Sequence, residues 1–323
     1  MKRRQVGRLA LAVAAALPFS ARAQKSKVPV VAIFVFQTPQ GDEVLPWLIK
    51  GLKDLGYDEG RNIRFEYGYA EGKSERFAEV AADLVRANPD VIVALGTDLS
   101  LAVRKATSTI PIVSASSGDP IVAGLAQSLA HPAGNVTGIT LVFDQIAPRR
   151  LQYLKECAPA IRRVGFLWNP LHVDHEYDES QRAAKVLGVA LVDLEVRSSS
   201  EMAAALRAGG EAGIDSLYVV NARNTVLHQA DILQFAADRK IPVAAGPGSW
   251  AERGALLSYG PDLSAANYRN AAFVDKILKG ARPGDLPIEQ PTQFELIVNL
   301  NTAKQLGLTL PRSLLAAADK TIG

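Results

Sequence analysis

Short apolar runs alternate with amphipathic stretches along most of the chain, and this alternation constrains the fold more than any other feature of the sequence. Val30–Phe36 is a continuous apolar run rich in β-branched residues, whereas Glu43–Leu55 places its apolar residues at the helical period. Continuous apolar strands separated by helices are typical of parallel sheets with both faces covered. Right-handed crossovers then give a doubly wound α/β arrangement.

The alternation continues on both sides of about residue 145, which predicts two similar Rossmann-like α/β lobes with parallel sheets. The other predicted strands are Ile63–Tyr69, Val91–Leu95, Ile112–Ser114, Val136–Leu141, Val164–Trp168, Ala190–Leu194, Ser216–Val220, Val243–Ala245 and Ala255–Ser258. The other predicted helices are Ser74–Ala87, Leu99–Ala106, Ala147–Cys157, Glu179–Leu187, Ser200–Ala208, Thr225–Ala237 and Ala265–Leu278. After Gly280 the pattern changes, and Phe294–Val298 predicts an extended run. We expect a short helix ending near Gly307 and then an amphipathic helix over Pro311–Ile322.

The first 23 residues have the three parts of a cleavable export signal. Basic residues between Lys2 and Arg8 precede the apolar segment Leu9–Phe19, which is too short to span a bilayer. The segment Ala21–Ala23 supplies the small residues that a signal peptidase requires. We therefore predict export to the periplasm. A retained amphipathic helix is the alternative, and the Arg3–Arg4 pair leaves the twin-arginine route open beside the general one.

Charge and cysteine content narrow the function classes. The chain has 36 basic and 33 acidic residues, and five of the basic residues lie in the signal, so the mature chain has 31 against 33 and a net charge of −2. Such a balance gives no reason to expect nucleic acid as a partner.

Cys157 is the single cysteine, which excludes an intramolecular disulfide and a cysteine-based zinc site. We expect its thiol to be a small core residue. No later apolar run approaches membrane-spanning length, so we expect the mature protein to be soluble.

Small polar residues follow the predicted strands, where an open parallel sheet binds its ligands. They lie in Gln37-Thr38, Gly96-Thr97-Asp98, Ser116-Ser117-Gly118-Asp119, Asn169-Pro170, Asn221–Thr225 and Gly246–Ser249. Two lobes that face each other with these loops at the seam form a cleft. The alternative for each such residue is that it only caps a helix.

Several longer motifs are similar to those of a known family, the periplasmic substrate-binding proteins of ABC importers. The matching stretches are Gly56–Asn62, Tyr69–Gly72, Thr107–Val113, Gly118–Pro120 with Gly124-Leu125, Pro132–Gly138, and Leu310–Leu315 with Ala318-Asp319. The chain most resembles the branch whose characterised members bind tryptophan, tyrosine or phenylalanine. The resemblance covers nearly the whole chain, and most of the motifs are structural turns and caps.

The resemblance implies a type I periplasmic-binding-protein architecture, in which two lobes joined by crossing segments trap a ligand on closure. It implies an N-terminal lobe of residues 28–143 with about 260–298, and a C-terminal lobe of residues 144–259 with about 299–323. It also implies an ABC permease as partner, a monomer, and no cofactor. The segment Asn221–Thr225 stands where relatives carry a short Asp/Asn-Thr segment that meets the ligand. Arg223 adds a charge there that a binder of neutral aromatic amino acids is not expected to have.

We expect the ligand-binding residues in the loops after Phe36, Leu95, Ser114, Leu141, Trp168 and Val220, and in two later segments. The candidates are Gln37, Thr38, Thr97, Asp98, Ser116, Ser117, Asp119, Phe143, Asn169, Asn221, Asn224, Thr225, Gly248 and Tyr259. Aromatic side chains at Phe36, Phe143, Trp168 or Tyr259 are candidates for packing against an apolar ligand body, with core packing as the alternative.

Three motifs resemble catalytic or cofactor sites without meeting their requirements. Gly68–Ser74 has one residue too few between its glycines for a phosphate-binding loop, and a strand-to-helix turn capped by Ser74 is the better interpretation. Gly246–Ala251 matches a loose dinucleotide pattern, but Pro247 removes a backbone donor. His172–Glu176 lacks the spacing of a zinc helix, so we predict no metal. The sequence contains no Gly-x-Ser-x-Gly motif, and a catalytic group formed only in space stays open.

These observations favour an exported receptor without catalytic activity that captures a small, amino-acid-like solute. An exported enzyme on the same scaffold, with Asp98 or Asp119 in a catalytic role, is the main alternative. A sensor that docks to a membrane receptor instead of a permease is a third.

Overall fold

The computed structural model describes residues 28–173 and 175–323, so the predicted export signal and Asp174 lie outside the described residues. The strands in chain order are β1 (Val30–Val35), β2 (Arg64–Tyr69), β3 (Val91–Ala94), β4 (Ile112–Ser116), β5 (Val136–Thr140), β6 (Arg163–Trp168), β7 (Ala190–Glu195), β8 (Ser216–Val219), β9 (Val243–Ala245), β10 (Leu257–Pro261), β11 (Phe294–Asn299) and β12 (Lys320–Ile322). The helices are α1 (Leu45–Asp54), α2 (Phe77–Arg86), α3 (Thr97–Ala106), α4 (Phe143–Cys157), α5 (Glu176–Leu187), α6 (Met202–Glu211), α7 (Arg223–Leu227), α8 (Gln229–Arg239), α9 (Gly248–Glu252), α10 (Leu263–Leu278), α11 (Leu300–Gln305) and α12 (Arg312–Ala317).

The first lobe is a parallel sheet with strand order β2-β1-β3-β4-β5. Alternate residues of β1 point to opposite faces, as strand geometry requires. Val31 and Ile33 pack with α1 and α10, whereas Ala32 and Phe34 pack with α2 and α3. Because both faces of the sheet are covered by helices, its central strands are continuously apolar, as the sequence predicts.

The second lobe is a larger sheet with strand order β12-β11-β10-β9-β8-β6-β7. Its strands are parallel except where β10 and β11 run antiparallel. Helices α4, α5, α11 and α12 cover one face, and α6, α8 and α9 cover the other. Cys157 lies fully buried in the first of these cores, as predicted, and burial raises the pKa of its thiol to about 12.

The last segment differs from its predicted single helix. Helix α12 ends at Ala317, and residues 320–322 form strand β12 beside β11. Asp319 makes this turn possible, because its backbone N–H donates to Leu296 O at 2.9 Å and its side chain accepts the Leu296 N–H at 2.8 Å. This pairing depends on a distant strand, so local periodicity does not predict it.

The chain passes between the lobes near residues 141–143, 261–263 and 289–294. Helix α10 follows β10 of the second sheet but packs against α1 of the first lobe. Glu289 bonds to the backbone of β5 in the first lobe, whereas Phe294 pairs with Pro261 in the second sheet. The sequence analysis assigns residues up to about 298 to the first lobe. The structure instead places residues 294–298 in a strand of the second sheet. The rest of the lobe division stays a prediction.

Within the described residues, no helix combines the length and the apolar character that crossing a bilayer requires.

Candidate functional site

A cavity of about 400 Å³ lies between the two lobes. Its volume falls within the range of about 300–1,000 Å³ that is usual for small-molecule sites. Five of the six loops that the sequence predicts at the cleft contribute lining residues, namely Gln37, Gly96, Ser117, His172 and Asn221, and at the sixth the cavity is lined by Leu141, the last residue of the predicted strand. The carboxyl ends of the strands in both sheets therefore face the same cavity, as open parallel sheets dictate.

Three of the predicted ligand-binding residues line the cavity: Gln37, Ser117 and Asn221. They belong to the loops after β1, β4 and β8, so both lobes contribute. Phe36, one of the predicted aromatic residues, also lines the cavity. The ligand contacts of these residues stay a prediction, and their position around the same cavity supports it.

Several other candidates make hydrogen bonds within their own loops. Asp119 Oδ1 accepts the N–H groups of Ile121 and Val122, and Asn169 Oδ1 accepts the N–H of Leu171. Thr225 Oγ1 donates to backbone carbonyls and accepts the Ala222 N–H at 3.1 Å. These bonds match the capping alternative, and none of these three candidates lines the cavity.

The remaining candidates lie beside the cavity or in the core. Thr97 Oγ1 accepts the Gly118 N–H at 2.9 Å, and the Ser116 and Ser114 hydroxyls lie 2.7 Å apart. Asn224 donates to Val196 O, and Thr38 is exposed. Phe143 is buried, Tyr259 stacks edge-on against Tyr153, and Gly248 begins α9. Phe143 and Tyr259 both pack against the hydrophobic cores and are absent from the cavity lining, and their contact with a ligand stays a prediction.

Two ion pairs between described residues join the lobes across the cleft. Asp98 of α3 pairs with Arg223 of α7, and Glu43 pairs with Arg253, which follows α9. In both pairs the first lobe supplies the carboxylate and the second lobe supplies the guanidinium. The lobe faces are therefore complementary in charge, which favours their approach.

Arg223 is more buried than a typical surface arginine and lies against two aromatic rings. Its guanidinium lies 4.8 Å from the ring centroid of Phe77 and 5.6 Å from that of Phe36, within cation–π range. Burial lowers the pKa of Arg223 to about 10, because desolvation disfavours the charged form. The charge that departs from the family expectation is thus neutralised by Asp98 and covered by two aromatic rings.

A third contact shows how closely the lobes approach. Ser117 Oγ lies 3.1 Å from His172 Nε2 across the cleft. Burial lowers the pKa of His172 to about 4, so its ring is neutral at pH 7. Next to this contact, a methyl group on Gly118 would lie 2.0 Å from the carbonyl oxygen of Val173. The structure therefore represents the closed arrangement of the two lobes.

Several lining residues were not predicted. Asp42 lies before α1, Gln229 begins α8, Trp250 lies in α9, and Asn267 lies in α10. Gln229, Trp250 and Asn267 were missed because they lie on helices and not directly after strands. Asp42 lies in the predicted loop after Phe36, and an acidic residue just before an amphipathic stretch is the sequence signal that could have indicated it.

A hydrogen-bonded serine, histidine and aspartate do come together outside the cavity. Ser199 Oγ lies 2.6 Å from His228 Nε2, and His228 Nδ1 lies 2.8 Å from Asp231 Oδ2. None of the three lines the cavity between the lobes, and the Asp231 side chain is 69% exposed. The arrangement ties the segment before α6 to the start of α8.

The other motifs have local structural roles. The segment that resembles a phosphate-binding loop is a turn after β2, and Ser74 begins a 3₁₀ turn without making the expected capping bond. Among residues 28–173 and 175–323, no group of three or more His, Cys, Asp and Glu side chains converges as a metal site.

Comparison with known proteins identifies the family. The family model described as "ABC transporter substrate binding protein" matches residues 27–322. A protein of Clostridioides difficile strain R20291 named tyrosine-binding protein is 29% identical over 274 residues, which cover 84% of this chain and 78% of that protein. A crystal structure of a conserved domain protein from Vibrio cholerae shares 31% identity with a TM-score of 0.84, covering 91% of this chain and 100% of that one. A domain from Streptococcus pneumoniae in complex with L-Trp shares 23% identity with a TM-score of 0.84, covering 92% and 100%.

The match over nearly the whole chain, the two α/β lobes and the cavity between them agree with one another. The chain belongs to the family of ABC transporter substrate-binding proteins, and it has the two-lobed fold of the type I periplasmic binding proteins.

Proposed function

We propose that this protein is an exported receptor that captures a small amino-acid-like solute between its lobes and delivers it unchanged to an ABC permease. The observation that carries the proposal is the cavity lined by loops of both lobes, with cross-lobe contacts on its rim. The export signal predicted for the first 23 residues supports a periplasmic location. We further propose that it works as a monomer without a cofactor.

The walls of the cavity suit a solute with an apolar body and polar ends. Leu99, Leu141 and Leu263 provide apolar surface, and Trp250 adds an aromatic side chain. Gln37 and the other polar loop residues provide hydrogen-bonding groups. Because the relative from C. difficile is named for tyrosine and the S. pneumoniae domain holds L-Trp, aromatic amino acids are the first candidates for this chain.

The proposed mechanism of capture is closure of the two lobes around the solute. A solute shifts the lobes toward the closed state only by its greater affinity for that state. In this protein the closed state brings Ser117 to His172 and Asp98 to Arg223. The solute would add contacts from both walls to these bonds, and a permease could then distinguish loaded from empty receptor by the position of the lobes.

Calorimetric titration of the mature protein with a broad panel of amino acids tests solute capture. We expect heat and thermal stabilisation with at least one member, and full recovery of the solute unchanged. No heat and no stabilisation with any solute would contradict the proposal, and a converted solute would favour the enzyme alternative.

Gly118→Ala tests whether closure is required. The added methyl group meets a backbone carbonyl of the opposite lobe, so it blocks closure without filling space inside either lobe. We expect weaker binding and a larger solution envelope with solute present, at unchanged thermal stability. Gly134→Ala is the matched control, because its methyl group meets nothing within 4 Å. Wild-type affinity in Gly118→Ala would contradict the closure mechanism.

A further inference from the structure

The charges on the cavity wall leave one carboxylate without a cationic partner in the described part of the chain. Arg223 and Arg253 are each paired with a carboxylate of the opposite lobe. His172 is neutral at pH 7. Asp42 also lines the cavity, and it forms no ion pair with any described residue.

Asp42 is fixed in place by the start of α1. Its Oδ1 accepts the N–H of Leu45 at 2.7 Å and the N–H of Val44 at 3.0 Å. Oδ2 accepts no hydrogen bond from the described residues. The carboxylate is therefore oriented by its backbone partners, while one oxygen remains for a further donor.

The surroundings of Asp42 make a positive partner favourable. Burial raises the pKa of the Asp42 carboxyl, which the Leu45 and Val44 N–H groups partly offset. A partly buried carboxylate without a counter-charge is costly, and a nearby cation removes that cost. The neighbouring side chain of Glu43 already has Arg253 as its counter-charge.

We infer that Asp42 recognises a cationic ammonium group of the solute, so that the cleft selects amine-bearing solutes with an apolar body over their uncharged or anionic counterparts. This inference rests on the proposed capture function and names the class of solute. The apolar side chains of the cavity would hold the body, and Asp42 would form a charge-assisted hydrogen bond with the ammonium. Arg223 is then not the group that selects the charge of the solute, because Asp98 already neutralises it.

Three probes of one skeleton separate the charges. L-phenylalanine carries both an ammonium and a carboxylate, phenethylamine only the ammonium, and 3-phenylpropanoate only the carboxylate. Tyrosine with tyramine and 3-(4-hydroxyphenyl)propanoate forms a second series, and 1,4-diaminobutane with butanoate a third. Calorimetry should show that amine-bearing members bind at least about 10-fold more tightly than deaminated ones, as loss of a hydrogen bond to a charged group implies.

Asp42→Asn tests the residue itself. Asparagine caps a helix start about as well as aspartate, so the fold should be retained. We expect amine affinity to fall about 10- to 100-fold in Asp42→Asn. Asp83→Asn, which changes an exposed carboxylate of α2 outside the cavity, should keep it within a factor of about three. Circular dichroism and the melting temperature check that both variants fold.

The outcomes are distinguishable. Equal binding of the deaminated probes, or unchanged affinity in Asp42→Asn, overturns the inference but leaves solute capture standing. Thermal stabilisation of the protein only by solutes that lack a positive charge also overturns the inference and leaves solute capture standing. No binding by any amine or amino acid, together with no binding by the wider panel, overturns both the inference and the proposed function.

Discussion

Glu176→Gln should destabilise the second lobe strongly, because it removes the carboxylate from a buried charge network. Arg150 and Glu176 have side-chain exposures of 0% and 1%, and Arg150 Nη1 donates to Glu176 Oε1. The same Nη1 donates to the Tyr218 hydroxyl at 2.7 Å, and Arg150 Nε donates to Tyr259 O at 2.9 Å. Burial opposes the charge of Arg150, but Tyr218 and Glu176 together raise its pKa above the usual value.

The expected loss is about 3–5 kcal/mol, the usual cost of removing one partner from a buried ion pair. Glutamine keeps the volume and one carbonyl acceptor of glutamate, so we expect the lower end, about 3 kcal/mol. At about 2–4 °C per kcal/mol for a unit of this size, the melting temperature should fall by about 6–12 °C. Such a loss is a large part of a typical total of about 5–15 kcal/mol.

Urea and thermal unfolding measure the effect. Glu289→Gln is the matched control, because it breaks the Arg269–Glu289 pair, whose side chains are 51% and 36% exposed. Exposed pairs contribute about 0–1 kcal/mol, so the control should unfold near wild type. Replacing Arg150 by Met together with Glu176→Gln should recover part of the loss, since no buried guanidinium is then left uncompensated. A Glu176→Gln variant within about 1 kcal/mol of wild type would refute the reasoning.

Three further predictions concern single groups. The pKa of His172 is about 4 in the folded protein and 6.5 in the unfolded chain, so the unfolded chain takes up a proton first and the free energy of unfolding falls as the pH falls from 6.5 to 4. His172→Gln should remove up to roughly 3 kcal/mol of this loss, measured by urea unfolding at the two pH values. Buried Cys157, with a pKa of about 12, should not react with a thiol reagent at pH 8 until the protein is denatured, and rapid labelling of the folded protein would contradict this. Asp98→Asn should break the pair with Arg223 and increase the radius of gyration of the solute-free protein in X-ray scattering, and an unchanged envelope would contradict a closing role for the pair.

The strands were predictable because continuous apolar runs mark strands buried on both faces. Val243–Ala245 has the predicted bounds, and the other predicted strands lie within one or two residues of the structure at most of their ends. Helix α9 and the break between α7 and α8 at His228 were not predicted, since short helices leave little periodicity to detect. Strand β12 was missed for a different reason, because it exists only through its pairing with β11.

The sequence predicted the location of the candidate site better than it predicted the side chains that line it. Strand ends indicate which loops face the cleft, and five of the six predicted loops do line it. They do not indicate whether a polar side chain such as Asp119 or Asn169 turns back to bond its own loop. Nor do they indicate residues such as Asn267, which α10 brings to the cavity only because the chain crosses back to the first lobe.

The charges of the cleft show why the fold is needed to infer specificity. In the sequence Arg223 stands alone among polar residues, as a charge that a binder of neutral aromatic amino acids is not expected to have. In the structure its partner is Asp98, which is 125 positions earlier in the chain and belongs to the other lobe. Once Arg223 and Arg253 are both neutralised in this way, Asp42 is the lining carboxylate without a cationic partner among residues 28–173 and 175–323. The solute charge that we infer thus depends on which cleft groups the closed lobes leave unpaired, and pairing across the lobes assigns that role to Asp42 and not to Arg223.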